Sequence, residues 1–160
     1  MIIRHATIDD LTQITAIETA CFPAAEAATR DDIEARLRAY PNHFWLLFDG
    51  DVLVSFINGM VTDEPNLTDN MYADTSMHCE QGAWQMIFGV DTAPAYQHHG
   101  YASQLMRVVI DDARAEGRKG VVLTCKNKLI GFYERLGYHN EGVSASTHGD
   151  VKWNQMRITF

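Results

Sequence analysis

An apolar run at residues 83–90 leads, after a short polar stretch, into a glycine-containing segment at residues 97–102, and an amphipathic helix pattern follows at once. The apolar positions of that pattern recur at steps of three or four: Ala102, Leu105, Met106, Val109, Ile110 and Ala113. Glycine at position 100 has no Cβ, so backbone N–H groups can approach a ligand closely, and the start of a helix presents N–H groups to an anion. The order strand, glycine turn, helix therefore predicts a pyrophosphate cradle, with an ordinary strand-to-helix turn as the alternative.

A second segment, residues 126–138, follows another predicted strand at residues 120–125. It places Asn127 directly after the strand, Tyr133 on a short helix at residues 130–136, and Leu136-Gly137-Tyr138 at the end of that helix. An asparagine in this position also caps helices in many proteins, and a tyrosine on a short helix also serves as a core aromatic.

Together the two segments resemble the acyl-CoA-binding signature of the GNAT family of N-acyltransferases. The first matches its Gln/Arg-x-x-Gly-x-Gly/Ala pattern, and the second matches the stretch in which an asparagine precedes a helix carrying a tyrosine and ending in Leu-Gly-Phe/Tyr. The resemblance extends over almost all 160 residues. It implies an α/β chain with the GNAT (acyl-CoA N-acyltransferase) fold, a mixed central sheet with helices on both faces, and a single domain at residues 1–160.

The periodicity of the chain agrees with this class, because strand patterns alternate with helix patterns. A long polar loop at 64–82 is predicted to carry a short helical turn near residues 70–73, and a second loop covers residues 144–151. Strands are predicted at 2–5, 44–48, 52–62, 83–90, 121–125, 138–143 and 152–160, and helices at about 8–20, 30–39, 101–116 and 130–136. Asp49-Gly50-Asp51 is predicted to form the turn of a hairpin between the second and third strands, and Pro41 to stop the helix before them.

Composition limits the classes of partner. The chain has 13 Lys and Arg against 21 Asp and Glu, a formal net charge of −8, which argues against nucleic acid and favours the approach of a cationic amine. Asp9 and Asp10 interrupt any N-terminal apolar segment, and no apolar run is long enough to span a bilayer, so we expect a cytoplasmic protein without a membrane partner. The oligomeric state is open, with a homodimer as one alternative.

The sequence gives no reason to expect a metal or a covalent intermediate. Cys21, Cys79 and Cys125 lack metal-type spacing, and we expect them to be reduced thiols. The adjacent His98 and His99 have no third ligand at a suitable spacing, so they are predicted to flank the phosphates instead.

By resemblance, acetyl-CoA is the co-substrate and the backbone of residues 97–102 holds its pyrophosphate. The main chain of Phe88 and Val90 is expected to pair with the pantetheine arm as another strand would, and Asn127 to hydrogen-bond the cofactor. The predicted cofactor-binding residues are Phe88, Val90, Gln97, His98, His99, Gly100, Tyr101, Ala102 and Asn127.

The same resemblance assigns Tyr133 as the general acid that protonates the departing CoA sulfur. On the acceptor side, the segment after the first helix looks like that of arylalkylamine (serotonin) N-acetyltransferase relatives. Phe22 and Pro23 would then line an apolar wall, and Glu26 would meet a cation or accept its proton through water. Packing between helices is the alternative for Phe22 and Pro23, and a solvent-facing charge is the alternative for Glu26.

The chain departs from the animal arylalkylamine enzymes at one point. Those enzymes carry a pair of histidines on the central strand, and the matching positions here are Trp84 and Met86. The general base is therefore open among His78, Glu26 and His148, since an imidazole titrates near neutral pH and a carboxylate can relay a proton through water.

The sequence thus predicts an enzyme that transfers acetyl from acetyl-CoA directly to a small primary amine, such as an arylalkylamine or a polyamine. One alternative is a non-catalytic module that binds acyl-CoA as a sensor or partner. Another is an N-acetyltransferase that acts on a protein or peptide.

Overall fold

The chain forms two compact units, seen in a computed structural model that describes residues 1–160. The first unit comprises Met1–Gly59 and Gly89–Val109, and the second comprises Met60–Phe88 and Ile110–Phe160. Each unit is assembled from two separate stretches, because the chain passes back and forth between them. The single domain at residues 1–160 stays a prediction.

The first unit contains an antiparallel sheet in the order β1 (Ile2–His5), β2 (Phe44–Asp49), β3 (Val52–Asn58) and β6 (Gly89–Thr92). Five consecutive residues of β2, from Phe44 to Phe48, are buried, so this strand is covered on both faces. A two-residue turn joins β2 to β3, and Gly50 adopts a φ of +58° there, a conformation that glycine tolerates without strain. The predicted hairpin is therefore confirmed.

Two helices pack with this sheet: α1 (Leu11–Cys21) and α2 (Arg30–Ala39). Thr29 caps α2, since its hydroxyl accepts from the backbone N–H of Asp32 at 3.1 Å and the Asp32 carboxylate accepts from the N–H of Thr29 at 3.1 Å. This reciprocal pair satisfies two N–H groups at the helix start. Pro41 follows and, as predicted, the helix has ended.

A buried polar cluster joins α1, α2, β3 and β6 within the first unit. Asp91 is fully buried and Glu18 is 7% exposed. Apart from the Glu18 carboxyl, no group hydrogen-bonds either oxygen of Asp91. Glu18 also accepts from the backbone N–H of Ala28 at 2.9 Å, and Arg36 donates to Asn58 at 3.4 Å.

Burial raises the pKa of Asp91 well above its usual value. The hydrogen bond with Glu18 and the charges of Glu18 and Cys21 raise this pKa further, while the charge of Arg36 opposes the rise. Asp91 therefore keeps its proton to a higher pH than an exposed aspartate does.

We predict that Asp91→Asn removes a pH dependence of stability. Because the folded-state pKa of Asp91 is raised, the stability it contributes is complete below the unfolded-state pKa and is lost as pH rises towards the folded-state value. Asparagine cannot ionise, so the variant does not lose this stability. Within that window, the free energy of unfolding of the variant minus that of the wild type should rise by about 1.4 kcal/mol per pH unit. Urea unfolding across pH measures this, with Asp9→Asn as a control for net charge. A pH-independent difference between Asp91→Asn and wild type would contradict the raised pKa of Asp91.

The second unit contains a five-stranded sheet in the order β4 (Val61–Thr62), β5 (Trp84–Ile87), β7 (Gly120–Cys125), β9 (Asn154–Thr159) and β8 (His139–Val143). The pair β5–β7 is parallel and the other pairs are antiparallel. Two short helices accompany it: α3 (Asn70–Ala73), the helical turn predicted inside the long loop, and α5 (Ile130–Arg135).

The helix α4 (Tyr101–Ala115) contributes residues to both units. Its predicted apolar stripe is confirmed by burial of Leu105, Met106, Val109, Ile110 and Ala113. None of the helices has the length and apolar character needed to cross a membrane.

Two predicted strands are each divided in the structure, so the α/β class holds with two sheets in place of one central sheet. Residues 52–62 become β3 and β4, and residues 83–90 become β5 and β6. Asn58 pairs with Gly89 in the first unit, whereas Val61 pairs with Gln85 in the second. Hydrophobic periodicity could not reveal this, because a strand that changes its partner remains extended and apolar on both sides of the change.

Gly120 lies where the strands of the second sheet pack tightly. A Cβ at this position would overlap the carbonyl oxygen of Ile158 and lie 2.8 Å from Cζ3 of Trp84. We predict that Gly120→Ala lowers the free energy of unfolding by about 2 kcal/mol or more, as overpacking does in tight cores. In the control Gly131→Ala, the added Cβ meets only Nη1 of Arg135 at 3.5 Å, so stability should be unchanged or slightly higher. Chemical denaturation of both variants decides, and equal stabilities would argue against this close strand contact.

Candidate active site

The predicted cradle lies in the first unit, between β6 and the start of α4. After β6, a single helical turn at Pro94–Tyr96 leads to Gln97, whose side-chain amide donates to the carbonyl of Thr92 at 3.1 Å. His98 and Gly100 both have positive φ values, +66° and +82°. Alternation of left-handed residues with their neighbours turns successive N–H groups towards one side of the backbone, the arrangement that forms anion-binding concavities.

A Cβ at Gly100 would meet nothing within 4 Å, so lack of space does not require glycine there. Its φ of +82° does. The residues 97–100 are exposed, and α4 begins immediately afterwards at Tyr101. The N–H groups in the first turn of this 15-residue helix lie at the positive end of its dipole. The ring of Tyr101 contacts the rings of Tyr96 and His99, with centroids at 6.2 and 6.0 Å, which fixes the side chains that border the turn.

Phe88 marks the point where the chain leaves the second unit. It belongs to neither the β5 nor the β6 ladder, and its ring lies 4.7 Å from that of Tyr72. Val90, the other residue predicted to meet the pantetheine arm, lies opposite Ile57 in the β3–β6 register.

The second predicted segment folds as expected in the second unit. β7 ends at Cys125, a helical turn covers Asn127–Leu129, and α5 carries Tyr133. The Asn127 side-chain oxygen accepts from Nδ2 of Asn154 at 2.6 Å, so the amide plane of Asn127 is held from β9.

Tyr133 is 6% exposed and is held between aromatic neighbours. Its ring centroid lies 5.0 Å from that of Phe132 and 5.5 Å from that of Tyr138, the latter edge-on. Burial, with Tyr133 nearby, raises the pKa of Tyr138 well above its ordinary value, so Tyr138 stays protonated. The position of Tyr133 is therefore fixed by packing.

Cys21 and Cys125 offer no activated nucleophile. Burial raises the pKa of Cys125 to about 11 and also raises that of Cys21, where the carbonyl of Thr92 accepts from the thiol at 3.2 Å. A thiol with a raised pKa is a poor source of thiolate at neutral pH.

The acceptor-side residues fall in different parts of the chain. In the first unit, Phe22 ends α1 and is half-buried, Pro23 is exposed, and Glu26 is buried at 9% exposure instead of facing solvent. In the second unit, His78 accepts from the backbone N–H of Val61 through Nδ1 at 3.1 Å, and its Nε2 lies 3.2 Å from a carboxylate oxygen of Glu80.

The second unit also holds a row of rings that the sequence did not single out. The imidazole of His148 stacks on the ring of Tyr72, with centroids 4.9 Å apart and planes 7° apart. The ring of Tyr72 also contacts the ring of Phe88, the residue that follows β5. Trp153 lies at the other end, 6.1 Å from His148. No sequence pattern could have predicted this row, because Tyr72 and His148 come from two loops far apart in the chain.

Comparison with known proteins identifies the family. The family model described as the acetyltransferase (GNAT) family matches residues 11–138, most of the chain. The chain therefore belongs to the GNAT acetyltransferase family, whose members are generally acyl-CoA-dependent, and the predicted GNAT fold is confirmed.

Solved structures with the same fold act on different molecules. The chain is similar to the GphF GNAT-like decarboxylase, in complex with isobutyryl-CoA, with a TM-score of 0.87 and 21% identity over 99% of both chains. It is also similar to the loading GNATL domain of CurA from Lyngbya majuscula, at 0.85 and 20% over 99% and 96% of the two chains. The ribosomal-protein-S18-alanine N-acetyltransferase from Escherichia coli matches at 0.73 and 16% over 99% and 92%. At these identities the likeness shows the fold alone.

We predict that Gly100→Ala weakens binding of CoA. Alanine at a φ of +82° costs about 1–2 kcal/mol, and a cradle that relaxes to relieve this strain loses its N–H geometry. Affinity for CoA should fall roughly tenfold, as measured by isothermal titration calorimetry. Gly50→Ala is the matched control, since Gly50 also has a positive φ, +58°, and open space around its Cα, but lies in the β2–β3 turn. Unchanged CoA affinity in Gly100→Ala would remove the cradle assignment.

Proposed function

We propose that this protein is an N-acetyltransferase that passes the acetyl group of acetyl-CoA directly to a small primary amine. The observation that carries the proposal is Tyr133, a buried phenol locked between Phe132 and Tyr138 on the helix that the family resemblance assigns to the general acid. A neutral phenol can donate its proton at physiological pH without any prior ionisation step.

The donor is held mainly by the backbone. The N–H groups of residues 97–102, with His98 and Gly100 in left-handed conformations, bind the pyrophosphate, and the main chain of Phe88 and Val90 takes the pantetheine arm. Asn127 contributes its amide, which Asn154 holds in place. Main-chain recognition of this kind tolerates the unusual His98-His99 pair, because those side chains need only border the phosphates.

The chemistry is a direct displacement. The neutral amine attacks the thioester carbonyl, a C–N bond forms, and the C–S bond breaks as the tetrahedral intermediate collapses. Tyr133 gives its proton to the leaving thiolate and regains one from the nitrogen that has become an amide. The raised pKa of Cys125 supports direct transfer over a route through an acyl-cysteine.

The acceptor is a cationic amine in solution, which agrees with the net charge of −8. Phe22 and Pro23 supply apolar contact for the acceptor, and arylalkylamines and polyamines are the classes that the sequence resemblance favours. The S18-alanine N-acetyltransferase among the structural neighbours makes a peptide N-terminus the second class to test.

The function can be tested by following thiol release from acetyl-CoA with phenylethylamine, tryptamine, spermidine, lysine and N-terminal alanine peptides as acceptors. Isobutyryl-CoA and malonyl-CoA are included as donors because GphF is a decarboxylase seen with isobutyryl-CoA. Release of thiol with a small amine supports the proposal. Bound acetyl-CoA with no thiol released by any acceptor favours a non-catalytic module, and loss of malonyl-CoA without thiol favours a decarboxylase.

We predict that Tyr133→Phe lowers kcat by roughly 100-fold or more, the range expected for loss of a general acid, while affinity for acetyl-CoA stays near that of the wild type. The ring and its packing are preserved, so the hydroxyl alone is tested. Tyr138→Phe is the matched control and should retain turnover, since the ring of Tyr138 that packs against Tyr133 is preserved. Full turnover in Tyr133→Phe would remove the assignment.

A further inference from the structure

We propose that His148 is the general base that takes the proton from the acceptor ammonium, and that Tyr72 and Asp69 position it. This inference rests on the proposed transfer to an amine. The positions at which the resemblance expects a histidine pair supply no base, because the indole N–H of Trp84 is only a donor and the thioether of Met86 is only a weak acceptor. A primary amine is protonated at neutral pH and must lose a proton before it can attack.

The row of rings connects His148 to Phe88. Tyr72 contacts the Phe88 ring at 4.7 Å and stacks on His148 at 4.9 Å. The Tyr72 hydroxyl lies 3.4 Å from the Thr124 hydroxyl near the end of β7, and this contact holds the hydroxyl end of the ring in place. Since Phe88 is the residue assigned to the pantetheine arm, the row places an imidazole two rings away from the donor.

The geometry of the stack matters for proton transfer. The planes of His148 and Tyr72 are 7° apart, so the contact uses the faces of the two rings. Both imidazole nitrogens carry their lone pair or their hydrogen in the ring plane. The stack therefore restricts the tilt of the imidazole while its nitrogens remain directed along the edge of the ring.

Asp69 holds the loop that carries His148. Its carboxylate accepts from the Ser146 hydroxyl at 2.5 Å and from the backbone N–H of Thr147 at 3.0 Å. Burial alone would raise the pKa of Asp69, but the hydrogen bonds from Ser146 and Thr147, with His148 nearby, hold it below its usual value. Asp69 therefore positions His148 by fixing the loop that carries it.

The backbone of His148 is fixed on both sides. Its N–H donates to the Ser146 hydroxyl at 3.3 Å, and its carbonyl accepts from the indole N–H of Trp153 at 2.7 Å. Two charged groups lie near this segment: Asp69, which interacts with His148, and Lys126, whose ammonium lies 5.9 Å from the centroid of the Trp153 ring.

His78 is less suited to the same role. Its Nδ1 already accepts from the N–H of Val61, which places the ring hydrogen on Nε2 in the neutral form, facing Glu80 at 3.2 Å. To accept a substrate proton, His78 would have to give up the backbone hydrogen bond at Nδ1.

The proton balance is complete without a further reagent. The ammonium transfers one proton to a nitrogen of His148, and the neutral amine then forms the C–N bond as the C–S bond breaks. Tyr133 protonates the thiolate and is reprotonated from the new amide nitrogen, and the imidazolium returns its proton to water. One amide, one free thiol and one solvent proton result.

The test is the pH profile of kcat/KM for the amine in His148→Gln, compared with wild type and with His139→Gln, an exposed histidine of the same unit. At neutral pH we expect kcat/KM to fall roughly 100-fold in His148→Gln, with the acid limb between about pH 5 and 8 lost. His139→Gln should keep both rate and limb, and CoA affinity should be equal in all three. Imidazole added to His148→Gly should restore part of the rate.

Variants of Tyr72 distinguish a role in positioning His148 from a role in proton transfer. Tyr72→Phe retains the ring, so it should keep the acid limb and at least a third of the wild-type rate, whereas Tyr72→Leu should lose rate without losing the limb. An NMR titration of the His148 imidazole, assigned by its absence in His148→Gln, should show a shift on addition of the amine to protein saturated with CoA.

The outcomes separate the two proposals. Wild type that releases thiol with an amine, together with an unchanged acid limb in His148→Gln, overturns the role of His148 and leaves the transferase intact. Wild type that releases no thiol with any amine overturns the transferase and this assignment with it. An unresponsive His148 signal in an active enzyme also contradicts the proposal.

Discussion

The change of strand partner at Phe88 is the constraint on which both units depend. Up to Ile87 the chain pairs in parallel with β7, and from Gly89 it pairs antiparallel with β3. Each sheet completes its ladder with one half of a single extended stretch, so the position of the change cannot move by a residue without disturbing both registers. The space around Gly89 adds to this, because a Cβ there would lie 3.0 Å from Asp91 and 3.3 Å from Asn58. The consequence for function is that Phe88 is held against Tyr72 instead of being absorbed into a ladder.

Each unit stabilises its loops through one buried or half-buried carboxylic acid with several partners. In the first unit, Glu18 hydrogen-bonds Asp91 and accepts from Ala28 in the loop after α1. In the second, Asp69 accepts from Ser146 and Thr147, which lie more than seventy residues later in the chain. The pKa values of Asp91 and Asp69 are shifted in opposite directions, because burial and a like charge raise that of Asp91 whereas hydrogen-bond donors lower that of Asp69. Loops that carry predicted acceptor-side residues are thus held in part by hydrogen bonds to a carboxylate.

Sequence reasoning succeeded where the signal is local. The hairpin turn at Gly50, the short helix inside the long loop, the stripe of α4 and the helix bearing Tyr133 all occur where periodicity and turn residues predict them. The turn before α4 could also be anticipated, since Gly100 adopts the left-handed conformation that its residue type allows. The division of two strands was missed, and so was the row formed by Tyr72, His148 and Trp153. Burial of Glu26, expected to be either catalytic or solvent-facing, is likewise a property of how its loop folds back.

The sequence by itself determined the family, the order of the elements and the two segments that match the family signature, because each depends on residues close together in the chain. Only the tertiary structure decided which strands pair, which carboxyl groups are buried together and which histidine is stacked on an aromatic ring. Those features join residues separated by tens of positions, and many sequences satisfy the same local pattern with different long-range partners. The fold resolves that choice through register, burial and the limited set of donors that can satisfy each buried acceptor.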